Sequence, residues 1–272
     1  MTDRTILITG CSSGIGLDAA RALKARGWRV LAACRKAEDC ARLEAEGLEA
    51  PRIDLESPHS IAEGWDDAMA RTGGRLDALF NNGAYAIPAL LEDLPTEALR
   101  AIFEANVIGW HDLTRRAIPP LRAARGRIVQ CSSVLGYVAT PTRGAYVATK
   151  FALEGYTDAL RMEVAPDIRV ALIEPGPIRT AFRRNALAQF RRWIDWEASP
   201  NRATYERLLE RQSSDAADRW ELGPEAVTAV LIHALEAPRP RARYAVTVPA
   251  KGAALMRRAL PARLLDRILS SS

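Results

Sequence analysis

Short apolar runs rich in β-branched residues recur along this chain: TILIT at 5–9, RVLAAC at 29–34, APRIDL at 50–55, DALFN at 77–81, RIVQC at 127–131, RVALIE at 169–174 and RYAVTV at 243–248. Nearly every neighbouring pair is separated by a helix-compatible stretch, and that alternation restricts the fold more than any other feature. A tight hairpin joins antiparallel strands. A helix-length crossover instead brings the chain back in the same direction and lays the helix on a sheet face. The pattern predicts an α/β protein with a doubly wound, seven-stranded parallel sheet and helices on both faces. No Pro/Gly/Ser-rich linker divides the 272 residues, so one domain over 1–272 is expected.

Punctuation agrees with this pattern. Gly27 and Gly47 sit where helix C-terminal caps belong, Thr96 opens a long helix to about Leu121, and Gly223-Pro224-Glu225 starts another. The connection at 180–220 is unusually long and carries Phe182, Phe190, Trp193, Trp196, Tyr205 and Trp220. Connections of this length in compact domains tend to be lids or binding loops, so a substrate lid is expected there. Its aromatics suit either a greasy pocket or simple packing onto the core. A helical tail is expected at 250–272. It mixes Arg with Leu and Ile but is interrupted by Pro261, which favours packing on the domain or a second subunit over contact with an anionic membrane surface.

Composition narrows the function classes. With 48% hydrophobic and 26% charged residues, the chain has the profile of a folded globular protein. The net charge of +5 comes from arginines scattered throughout, and no basic block alternates with aromatics, so a nucleic-acid partner is not expected. The opening MTDRTILITG lacks a charged leader and a long apolar region, and no apolar run reaches membrane-spanning length. Cys11, Cys34, Cys40 and Cys131 lack metal-binding spacing, and His59, His111 and His233 lie far apart; no metal site is expected. Reduced, mostly buried thiols in a cytoplasmic protein are the expectation.

Directly after the first run, TGCSSGIG (9–16) leads into LDAARALKAR. Glycines at 10, 14 and 16, placed between strand and helix, allow a tight turn and let backbone N–H groups approach a pyrophosphate where the helix dipole favours anions. The second run ends in AACRK. Cys34 stands where an acid would hold an unphosphorylated ribose, and Arg35 and Lys36 follow. A 2'-phosphate would meet cations there, so NADP(H) is expected over NAD(H), although Glu38 lies close by.

In AYVATKFALEG (145–155), Tyr146 and Lys150 are four apart on one helical face. Taken alone, the pair suits ordinary surface decoration as well as a phenol tuned by an ammonium. Hydride delivery to a carbonyl leaves an alkoxide that needs a proton, and Tyr146 is a candidate acid. Bringing a phenol from about 10 to near 7 takes on the order of 4 kcal/mol. A cation about 4 Å away supplies roughly that amount at an effective dielectric near 20.

With these motifs in order, the chain resembles the short-chain dehydrogenase/reductase family from about Thr5 to Val248, which implies a single-domain Rossmann fold. TGCSSGIG resembles the cofactor loop, carrying that role to Gly10, Ser12, Ser13, Gly14, Ile15 and Gly16. Asp54 in RIDLES, with Leu55 beside it, matches the acid that contacts adenine. NNGA (81–84) resembles Asn-Asn-Ala-Gly and implies cofactor contacts at Asn82 and Gly83, with the last two residues in reversed order. Asn106 in ANVIG matches the helix asparagine that holds a water linking the lysine to solvent. Ser133 in QCSSVLG matches the catalytic serine, leaving Ser132 as a candidate cap. PGPIRT (175–180) matches the stretch contacting nicotinamide, here Pro175, Gly176, Ile178 and Thr180. Tyr146 follows Ser133 by 13 residues, and Lys150 completes Tyr-x3-Lys and is implied to hold the nicotinamide ribose.

The resemblance implies an NADP(H)-dependent oxidoreductase acting on an apolar aldehyde, ketone, retinoid or steroid-like substrate, assembled as a homodimer or homotetramer. The alternatives are a lyase or epimerase on the same fold, or a non-catalytic NADP(H)-sensing regulator. Tyr156 is expected to pack against the sheet or a partner subunit.

Overall fold

The computed structural model describes residues 4–213 and 220–270. Its centre is a parallel sheet of six strands: β1 (Thr5–Thr9), β2 (Arg29–Ala33), β3 (Ala78–Asn81), β4 (Arg127–Cys131), β5 (Arg169–Glu174) and β6 (Arg243–Ala245). The strand order is β2-β1-β3-β4-β5-β6, so the winding reverses beside β1. Thr5 pairs with Arg29 on one side of β1 and Ile6 with Ala78 on the other.

The expected seventh strand, 50–55, does not form. Ala32 N–H donates to Glu49 O at 2.7 Å, Cys34 N–H to Pro51 O at 3.3 Å, and Ile53 N–H to Cys34 O at 2.9 Å. Pro51 has no N–H to return, so the ladder stops at isolated bridges, Leu31 with Glu49 and Cys34 with Arg52. The last run is also shorter than expected. Thr247 Oγ1 accepts from Ala250 N–H, and Pro249 occupies the first turn of the helix that starts at Val248.

Helices cover both faces. On one, α1 (Gly14–Ala25) packs on α9 (Glu225–Glu236) over Ile6, Ile8, Val30, Phe80, Val129 and Ile173. The other face buries Leu7, Leu31, Leu79, Ile128 and Val170 beneath α3 (Pro58–Thr72), α5 (Gly109–Ala123) and α6 (Gly144–Glu163). The short α2 (Ala37–Ala45) follows β2. Gly27 and Gly47 have φ of +81° and +78°, as left-handed caps require.

The helix expected from Thr96 runs as α4 (Thr96–Phe103), a π-helical turn (Glu104–Ile108) and α5. Of the connection at 180–220, residues 214–219 lie outside those described; the rest holds α7 (Phe182–Trp193) and α8 (Arg202–Ser213). Pro261 divides the tail into α10 (Val248–Ala259) and α11 (Ala262–Ser270), with 271–272 beyond the described residues. Ala253 and Leu265 are buried against Val138, and Tyr137 O–H donates to Ala250 O at 2.7 Å, so the tail packs on the domain. No described helix is long and apolar enough to cross a membrane.

Candidate active site

At the C-terminal ends of β1 and β3 three backbone segments meet too closely for side chains. Gly10 has φ +71°, and a Cβ there would lie 2.6 Å from Gly83 Cα. One at Gly16 would collide with the Gly10 carbonyl oxygen. Gly14, φ +57°, faces Thr180, whose Cβ would be 2.9 Å away. Thr9 Oγ1 accepts from both Asn82 N–H and Gly83 N–H at 3.0 Å, and Asn82 Nδ2 donates back to Thr9 O at 3.0 Å. The reversed Gly83-Ala84 order therefore places the residue without a Cβ where two backbones touch.

This cradle borders a cavity of about 460 Å³ lined by Gly10, Ser12, Ser13, Arg35, Lys36, Asp54, Leu55 and Gly83. The N-terminus of α1 opens onto it with no acidic residue in the first turn. An anionic dinucleotide backbone fits these donors and this dipole. Asp54 keeps one carboxylate oxygen on Glu56 N–H at 3.1 Å. At the ribose end the cations expected from AACRK are accompanied by carboxylates. Asp39 also lines the cavity, tied to Arg42 at 3.2 Å, and Lys36 is paired with Glu38 at 3.1 Å. Among the described residues that line the cavity, Arg35 and Arg184 are the cations with no acid bound to them. Cys34 is buried, and burial pushes its thiol up to about 12.

A second cavity of about 470 Å³ adjoins the first through Ala84. Ile15, Asn82, Ser133, Tyr146, Lys150, Pro175, Gly176, Ile178 and Thr180 all line it, so spacing along the chain has become one wall. Ser133, not Ser132, is the capping serine: its Oγ accepts from Leu135 N–H at 3.1 Å and its O–H remains able to donate. Ser132 Oγ is buried without a partner among the described residues.

Tyr146 and Lys150 do share a face of α6, but the ammonium is not directed at the phenol. Lys150, 1% exposed, donates to Cys131 O at 2.8 Å and lies 4.5 Å from the centre of the Trp110 ring and 5.5 Å from that of Tyr146. Burial pushes its pKa down to about 8, against the opposing pull of Cys131 and Glu154. Burial likewise raises the Tyr146 phenol above its ordinary range, with Cys131 adding to the rise and Ser133 and Arg143 opposing it. Within the chain alone, desolvating a phenolate outweighs the pull of an ammonium that is hydrogen-bonded to Cys131 O, so the phenol is raised and not lowered. Burial thus favours the protonated phenol.

Asn106 sits in the π-helical turn, fully buried. Its Oδ1 accepts from Tyr85 N–H at 3.1 Å, and its Nδ2 donates to Tyr85 O at 2.8 Å and Thr149 Oγ1 at 3.2 Å. It thereby fixes the segment after β3 to the helix that carries Tyr146. Tyr156 packs on the sheet side and meets His111 Nδ1 at 3.2 Å.

Three features escaped the sequence reading. Trp110 is fully buried, donates from Nε1 to Gly83 O at 2.7 Å and offers its face to Lys150, so one indole supports both the cofactor loop and the lysine. Its position four residues after Asn106 on the same helical run was the available signal. Arg143 lines the second cavity. Arg243 gathers Glu154, Glu174 and Asp158 at the end of β5, pairings no spacing rule reveals.

The aromatics of 180–220 divide between the two roles. Phe190 and Tyr205 are fully buried with their rings tilted against each other at 5.5 Å, and Tyr205 O–H donates to Asp93 Oδ2 at 2.7 Å. They anchor the segment. Phe182 alone among them lines the second cavity, its ring 5.4 Å from that of Tyr146.

Residues 4–190 match the family model described as short chain dehydrogenase. The chain is 41% identical to the oxidoreductase YbbO of Escherichia coli over 98% of its length and 94% of that protein's. It is 34% identical to human 17-beta-hydroxysteroid dehydrogenase type 6, covering 100% of this chain and 89% of that one. A short chain dehydrogenase from Burkholderia cenocepacia, solved in complex with NADP, superposes with a TM-score of 0.77 at 25% identity over 98% of both chains.

Proposed function

Since the chain belongs to the short-chain dehydrogenase family and is an oxidoreductase, we propose that it transfers a hydride between NADP(H) and the carbonyl or alcohol carbon of an apolar aldehyde, ketone, retinoid or steroid-like substrate. The observation that carries this reading is the convergence of Ser133, Tyr146 and Lys150 on one cavity that adjoins the glycine cradle. When bound, the nicotinamide cofactor supplies the hydride and the chain supplies the rest. Ser133 donates a hydrogen bond to the substrate oxygen as negative charge develops there, and Tyr146 gives it a proton. Lys150 would return that proton, recovering its own from solvent, and would hold the nicotinamide ribose when the cofactor is bound. Asn106 keeps the lysine's surroundings in register through Tyr85 and Thr149.

The preference for the 2'-phosphate rests on Arg35. Apolar substrates suit a wall built from Ala84, Ala86, Val134, Leu135, Ile178, Phe182 and Ala186, with the segment at 180–220 acting as the lid. The reading extends to a cytoplasmic homodimer or homotetramer. Phe151 and Met162, eleven residues apart on one face of α6 and both exposed, offer an apolar surface for that assembly.

Tyr146→Phe tests the assignment. It is expected to bind NADPH as the wild type does and to lose nearly all carbonyl reduction; turnover near wild type would overturn the role of Tyr146. Arg35→Ala is expected to abolish the discrimination between NADPH and NADH in a binding titration. An unchanged preference would sink the cofactor reading.

A further inference from the structure

The cavity that holds Tyr146 is one-sided in charge. Among the described residues its lining includes Arg143, Lys150 and Arg183 and no aspartate or glutamate. Two of these cations are accounted for: Lys150 is held by Cys131 O at 2.8 Å, and Arg183 reaches Glu221 at 3.5 Å. The Arg143 guanidinium has no hydrogen bond and no ion pair among the described residues. A half-buried guanidinium beside that of Arg183 gains from an anion that completes the site. Burial and Arg183 both lower its pKa, in keeping with a cation short of a counter-charge.

The backbone before Arg143 is also held in an uncommon shape. Thr142 has φ +61°, a left-handed conformation that a β-branched residue rarely adopts. Its carbonyl accepts from Ala89 N–H at 2.9 Å, and Ala89 pairs with Arg143 in an isolated bridge. The strained turn thus fixes the point from which the Arg143 side chain leaves, at the start of α6 and three residues before Tyr146.

We propose that Arg143 is a specificity-determining residue that binds a carboxylate on the substrate, so that the molecule reduced is an oxo acid: a carbonyl at Tyr146 and Ser133, an apolar body, and an anionic end at Arg143. This rests on the carbonyl-reductase reading above and sharpens its substrate class. Phe182, Leu135 and Ala186 provide the apolar wall for the body. A planar guanidinium suits a planar carboxylate through two parallel hydrogen bonds. Arg143 acts on binding and selectivity and takes no part in the proton transfer.

Two measurements decide it. With NADPH saturating, kcat/KM is compared for a homologous series of straight-chain ω-oxo acids and the matching alkanals. The wild type is expected to prefer the acid by about ten- to a hundred-fold at the best chain length, the range of a charged hydrogen bond. Arg143→Gln should bring that ratio to about one, and Arg143→Lys, which keeps the charge, should restore part of it. A ratio near one in the wild type at every length, or a ratio retained in Arg143→Gln, overturns the proposal.

The second measurement needs no turnover. Calorimetry on the NADP+-loaded enzyme compares a straight-chain fatty acid with its primary amide. Tighter binding of the acid, lost in Arg143→Gln, supports the carboxylate site, and equal binding of acid and amide refutes it. If neither alkanals nor oxo acids are reduced, the carbonyl-reductase reading fails, and calorimetry alone decides the role of Arg143.

Discussion

Replacing Lys150 by methionine should give a protein that is inactive yet more stable. The wild-type amine is 1% exposed, and burial moves its pKa from 10.5 to about 8. At pH 7, a shift of that size corresponds to about 3 kcal/mol of folding free energy spent on keeping the proton inside. Methionine keeps a flexible apolar stem of similar length and removes the charge. It forfeits the hydrogen bond to Cys131 O and the contact with the Trp110 face, together on the order of 1–2 kcal/mol. The net expectation is a gain of about 1–2 kcal/mol, or a rise of a few degrees in Tm for the cofactor-free protein.

The pH dependence provides a check on the cause. Between about pH 8 and 10.5 the unfolded chain still holds a proton that the native amine has released, so wild-type stability climbs with pH in that window. The charge penalty should fall to roughly half by about pH 9.5, and the advantage of Lys150→Met should shrink with it. Tyr146 does not disturb the comparison, because its raised pKa keeps it protonated over this range. Chemical denaturation of both proteins at neutral and alkaline pH makes the measurement. A variant less stable than wild type at pH 7, or a difference that does not change with pH, would refute the reasoning.

Other outcomes follow from the same geometry. Gly10→Ala combines a φ of +71° with a contact 2.6 Å from Gly83 Cα; it should cost more than about 1 kcal/mol and abolish dinucleotide binding, read by unfolding and by NADPH fluorescence titration. Trp110→Phe keeps a flat face under Lys150 but leaves Gly83 O without its donor, for a loss of about 1–3 kcal/mol and a weaker NADPH Kd. Burial raises the Tyr146 phenol, so it holds its proton to higher pH than a free tyrosine. Carbonyl reduction, which needs the protonated form, should therefore persist into alkaline solution, and alcohol oxidation should still be rising there, as steady-state pH profiles would show.

What could be read from the sequence depended on how local each signal is. Strand and helix alternation, the glycine cradle and the Ser133/Tyr146/Lys150 spacing are short-range patterns, and the fold brings them to one place. The strand expected at 50–55 failed at a single residue, Pro51, whose missing N–H an apolar pattern does not register. Helical periodicity fixes the face of α6 that Lys150 shares with Tyr146 but not the direction of a flexible amine; Cys131 O and Trp110 determine that. Arg243 is 89 residues from Glu154 and 69 from Glu174. Only the completed sheet puts them together.

Pro51 also affects how folded copies behave when crowded. An open strand edge is a row of free N–H and C=O groups onto which another chain can add. Beside β2 that row is partly used by Glu49, Pro51 and Ile53 and is interrupted at the proline. At the opposite end β6 lasts three residues before Thr247 and Pro249 turn the chain into α10. Neither margin of the sheet is long and regular enough to template strand addition, which protects the apolar sheet from edge-to-edge aggregation.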